Sequence, residues 1–207
     1  MSVSEDRTVQ PSTVTPATGI ADPAPLGLAA FAATTFLLSA ANAGWMTKAT
    51  GDAWLGYAFA YGGFAQLLAG MWEFRNRNVF GATAFSTYGG FWIGLALWAL
   101  LVAPKAASPA AANHDIAWIL LTFAIINTYL LILSTQVNMA VFLVFLTLEI
   151  TEIILFIGNF GGSTGTVKFG GYVGLVTALV AFYTSAAGIS NGLAGKLRFP
   201  VGRPLIS

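Results

Sequence analysis

The chain has no cysteine in 207 residues and a single histidine, His114. Those two scarcities remove disulfide frameworks, thiolate metal sites, cysteine nucleophiles and multi-histidine metal centres. Charge is scarce as well. Lys, Arg, Asp and Glu make up 8% of the residues, whereas an ordinary soluble domain carries about a quarter. A surface so poor in charge cannot be kept wet, so the implied solvent is a bilayer. The net charge of +1 selects neither an acidic nor a basic partner, and no basic–aromatic patch suggests nucleic acid. The glycine-rich stretch GGSTGTVK, from Gly161, lacks the ending of a phosphate-binding loop and follows a helical pattern instead of a strand. With no cysteine and one histidine, expected in a loop, a hydrolase nucleophile and its base are hard to assemble. The reading is therefore a non-enzyme with no cofactor and no metal. Residues 1–20 lack the basic start and apolar core of a secretory signal. They are rich in Ser, Thr and Pro, and are expected to form a disordered cytoplasmic tail.

What is abundant is apolar: 57% of the chain is hydrophobic. Crossing about 30 Å of hydrocarbon takes about 20 residues of helix. Windows of that kind run over 25–45, 53–72, 79–102, 116–136, 139–158 and 169–191. Helices are the plausible spanning form, because lipid offers no partner to free backbone amides. The expected fold is all-α, with six transmembrane helices over 21–195 and a C-terminal tail over 196–207. Arg7, Arg75, Arg77, Lys196, Arg198 and Arg203 fall on the side of the termini, and Lys48, Lys105 and Lys168 on the other. That bias places both termini in the cytoplasm and the protein in the plasma (inner) membrane. Gly63 and Gly70, Gly90 and Gly94, and Gly170 and Gly174 stand at spacings that let helices pack closely.

Polar groups inside the spans are the candidates for function, since lipid makes them costly. Glu149 and Glu152 are three residues apart in the fifth window and so share a helical face. No Lys or Arg lies in any span, so each carboxyl must find hydrogen-bond donors or hold a proton. Both are proton-carrying candidates, though both could equally be satisfied and inert. Thr34, Thr35, Gln66, Asn127 and Thr177 are the other mid-span polar residues, and Gln66 and Asn127 can donate to a carboxylate. Asn159 suits a helix C-terminus beside glycines.

The segment Asp22-Pro23-Ala24-Pro25-Leu26-Gly27-Leu28 heads the first window. Further on come Tyr61-Gly62-Gly63 with Ala65-Gln66, then Phe80-Gly81, Phe85 to Gly89, and Ile157-Gly158-Asn159. In this order the motifs resemble those of the acetate uptake transporter family, the bacterial succinate–acetate permeases and their fungal relatives. The resemblance covers almost everything after residue 20. It implies a six-helix protomer in a homo-hexamer, moving acetate and in some members succinate, with protons. It also implies a hydrophobic constriction at Phe31, Tyr88 and Leu148. Asp22, Pro23, Leu26, Thr34, Gln66 and Asn127 then fall along the substrate path, with Glu149 beside the constriction and Glu152 one turn away. Asp22 stands where the family has Asn. Either residue serves as an N-cap beside a first-turn proline, but an ionised Asp22 would weaken the pull of a helix N-terminus on an anion. Expected partners are acetate or a similar carboxylate, protons, membrane lipids and further copies of the chain. The alternatives are an uncoupled monocarboxylate or ammonia channel, and a non-transporting membrane sensor or scaffold.

Overall fold

The computed structural model describes residues 19–47 and 52–206. The tail expected over 1–20 lies outside the described residues up to residue 18, and Gly19 and Ile20 are exposed. Helix α1 (Ala24–Asn42) starts on the proline motif. Pro23 occupies the cap position expected for Asp22, and Asp22 precedes it. The Asp22 Oδ1 accepts the Ala24 amide at 3.0 Å, so the acid still ties down the first turn. Pro25 sits in that turn, where the amide it lacks has no intrahelical partner in any case.

The second window is not one regular helix. It runs as α2 (Trp54–Tyr57), a π-helical stretch Ala58–Ala65, then α3 (Gln66–Arg75). The π-helical stretch holds Tyr61-Gly62-Gly63, and a side chain at Gly62 would collide with Thr34 of α1. Closeness to α1 here depends on glycine, and the widened turn resets the register before Gln66. Among the described residues, five helices are long and apolar enough to cross a membrane: α1, α4 with its continuation, α5, α6 and α7.

Helix α4 (Val79–Leu97) winds on through Trp98–Val102 to Lys105. Helix α5 (Pro109–Ser134) begins at Pro109 and not at 116 as the window predicts. Ser108 caps it, accepting the Ala111 amide at 3.1 Å, and the alanines after Pro109 extend it. His114, expected in a loop, therefore lies on α5, with its ring centre 4.9 Å from that of Phe160. Helices α6 (Met139–Phe160) and α7 (Thr164–Ala194) are capped by Asn138 and Ser163. Asn159 lies within α6, and its amide donates back to the Leu155 carbonyl at 2.8 Å.

Helix α1 packs along α7, α7 along α6, α6 along α5, and α3 on α4. A side chain on Gly171 would come within 2.8 Å of the Ser39 carbonyl of α1, and one on Gly70 within 2.6 Å of the Ser86 amide of α4. Gly90 and Gly94 differ from the expectation: a Cβ at either would meet no atom within 4 Å, so they face outward. Ile125, Ile132 and Leu179 are each about 60% exposed and form part of an apolar outer belt.

Residues 198–205 are tied back to the bundle. Asn191 accepts the Arg198 and Phe199 amides at 2.7 and 2.9 Å and donates to the Phe199 carbonyl at 3.0 Å. The Tyr183 hydroxyl donates to the Pro200 carbonyl, the Ala140 amide to Val201 and the Leu205 amide to Thr135. The segment 198–205 is thus a strap across the ends of α5, α6 and α7.

Candidate functional site

A cavity of about 500 Å³ opens on the side of the strap. First-turn residues of α1, α4 and α6 wall it, with Asn191 and Gly192 of α7 and Val201 of the strap. Asp22, Asn78 and Asn138, whose side chains hold the first amides of those helices, all line it. The rest of the wall is largely apolar: Pro25, Leu28, Phe80, Phe85, Val144 and Phe145. Gln66, Phe31, Tyr88 and Leu148 complete the lining.

A second, smaller cavity of about 40 Å³ is lined by Thr35, Ser39, Trp92, Leu120, Glu152 and Leu155, among others. Phe31, Tyr88 and Leu148 line this cavity too, so the same three side chains border both spaces. They are 5%, 3% and 6% exposed, and the Phe31 and Tyr88 rings meet edge to face at 5.7 Å.

A polar network enters at Tyr88. Its hydroxyl lies 3.1 Å from the Asn127 Oδ1 and 3.2 Å from the Glu152 Oε1. The Asn127 amide nitrogen donates to the Phe145 carbonyl at 3.0 Å and to the Glu149 Oε2 at 2.7 Å. Thr128, which no sequence argument singled out, lies 2.9 Å from the Glu149 Oε1. Two acceptors on one side fix which end of the Asn127 amide faces Tyr88. Beside Glu152, the Thr151 and Thr177 hydroxyls meet at 3.0 Å.

The shared face of Glu149 and Glu152 splits between two environments. Glu152 is the residue at Tyr88, and its Oε2 is buried without a partner. Glu149 reaches Asn127 and Thr128 of α5 and is half-buried there. Gln66, expected to bond a carboxylate, lines the large cavity with an unpartnered Oε1. Thr34 turns its hydroxyl back to the Ala30 carbonyl at 2.7 Å and lines neither cavity, whereas Thr35 lines the smaller one. Pro23 is buried and Leu26 exposed, and neither is in the wall, where Ala24 and Pro25 stand instead.

The arrangement is two cavities in a helical bundle that share three bulky lining side chains. Comparison with known proteins gives it a family. The model of the GPR1/FUN34/yaaH family matches residues 6–202. The chain belongs to that family. Acetate permease A of Emericella nidulans is 37% identical over 198 residues, covering 87% of this chain and 65% of that protein. The succinate-acetate/proton symporter SatP of Escherichia coli K12 is 35% identical over 186 residues, 89% of this chain and 97% of SatP. The chain spans less than two thirds of the length of acetate permease A and of two Saccharomyces cerevisiae relatives. A solved structure of the bacterial acetate channel SatP superposes with a TM-score of 0.82 at 31% identity, covering 89% of this chain and all of that one. These family relatives are transporters and a channel, not enzymes.

Proposed function

We propose that this family member carries acetate, and related short carboxylates including succinate, across the plasma (inner) membrane together with a proton. The observation that carries the reading is that Phe31, Tyr88 and Leu148 border both cavities. Two spaces meeting at three buried bulky groups are a pathway closed at a neck. An apolar neck closes by expelling water, which blocks ion leak while a small methyl-bearing solute can still be admitted. In this reading α2 to α3 makes the sixth crossing, both termini lie in the cytoplasm, and protomers assemble as hexamers surrounded by lipid.

Hydrogen-bond bookkeeping at the neck supports the proton. Tyr88 has one O–H and two acceptors within reach, so an ionised Glu152 leaves one acceptor without a donor. A proton on Glu152 removes the conflict: its O–H donates to the Tyr88 oxygen, and Tyr88 donates to Asn127. An acetate anion and a proton moving together carry no net charge. Glu152 is the group placed to hold that proton, with Glu149 joined to it through Asn127 and Tyr88. The test is labelled acetate uptake into proteoliposomes at several external pH values, comparing the parent with Glu149→Gln and Glu152→Gln. The expected result is a flattened pH profile in Glu152→Gln. An unchanged profile in both variants would rule out these carboxyls as proton carriers.

A further inference from the structure

Formal charge along the two cavities has one sign. Among the described residues, none lining the large cavity is Lys, Arg or His, and its one charged side chain is Asp22. Arg75, Arg77 and Arg198 are exposed and stand outside the wall. The small cavity adds Glu152 and no cation. Helix N-termini at the mouth favour an anion there, although Asp22, Asn78 and Asn138 already hold one first-turn amide each. Among the described residues, no cationic side chain lines either cavity. A bare carboxylate moving into that apolar space would lose its water without gaining a counter-ion, which is costly.

Unpartnered atoms along the same stretch call for both donors and acceptors. Gln66, 1% exposed, is among the residues lining the large cavity, and its buried Oε1 has no donor. Around the small cavity the Glu152 Oε2, the Thr35 hydroxyl and the Trp92 indole N–H are also buried without partners. A carboxylate only accepts, so it can satisfy the indole but never the Gln66 oxygen. An uncharged acid offers one O–H and a carbonyl. A primary amide offers two N–H bonds and a carbonyl, and has the same shape as acetate.

We propose that the neck passes its solute in uncharged form, and that small primary amides, acetamide first, are a second substrate class. This rests on the transport reading above, and one experiment separates the two. Proteoliposomes and protein-free vesicles of the same lipid are mixed with an acetamide gradient, and swelling is followed by light scattering. Labelled acetate uptake is measured on the same preparation at the same neutral pH. The expected result is acetamide permeability well above that of the protein-free vesicles. Acetamide flux equal to that of bare lipid, with acetate uptake intact, overturns the inference and leaves the transport reading standing. Loss of both fluxes overturns both. Acetamide flux without acetate uptake upholds the substrate class and removes the acetate reading.

Discussion

Tyr88 lines both cavities and anchors the polar network, so its hydroxyl separates packing from chemistry. Tyr88→Phe keeps the ring against Phe31 but leaves Glu152 and Asn127 each short of a buried partner. The expected cost is about 1–3 kcal/mol of stability, read as a lower unfolding temperature in detergent. Proton-driven accumulation of acetate should fall more than equilibrating flux, because the neck is still shaped by three bulky groups. Asp22→Asn makes a different prediction. Asn can accept the Ala24 amide as Asp22 does, so the unfolding temperature should not move. Acetate affinity from the strap side should rise about threefold to tenfold, as expected when one nearby negative charge is removed; equal or weaker affinity contradicts the role given to Asp22. The sequence made the two glutamates legible as costly groups on one face. It could not show that Asn127 and Tyr88 link them, because those residues lie 22 and 39 positions or more from their partners and nothing local records the pairing.

Periodicity and length locate the long apolar helices well, because a bilayer imposes both. Their ends are another matter. The polar residues before window 116–136 read as a loop, yet Ser108, Pro109 and the alanines start α5 early. The break in the second window was also hidden, since composition there stays apolar and only contact with Thr34 and α1 explains it. The strap is the clearest case. Residues 196–207 read as a tail, and what holds the segment 198–205 is its backbone bonding to Asn191, Tyr183, Ala140 and Thr135. Asn191→Ala removes three of these bonds, at an expected cost of about 1–2 kcal/mol because the site is partly wet. Limited proteolysis should then cut near residue 198 before any other site within the bundle. A valine at Gly171 tests helix packing. The Ser39 carbonyl belongs to helix backbone and cannot yield, so the variant should lose about 1–3 kcal/mol by overpacking, read as a lowered unfolding temperature.

For the whole molecule, the central claim is coupled movement of a small carboxylate through a neck that excludes water. Scarcity of charge pointed to a bilayer, the ordered motifs pointed to the relatives, and Phe31, Tyr88 and Leu148 line both cavities. A scaffold, a channel and a symporter share that architecture and differ in energetics. The deciding measurement is labelled acetate in proteoliposomes with and without an inward proton gradient, after subtracting passive entry of the free acid in protein-free vesicles. Proton-coupled transport predicts accumulation above equilibrium that collapses when the gradient is dissipated. Equilibration with no accumulation under the gradient, or no protein-dependent uptake, would contradict it.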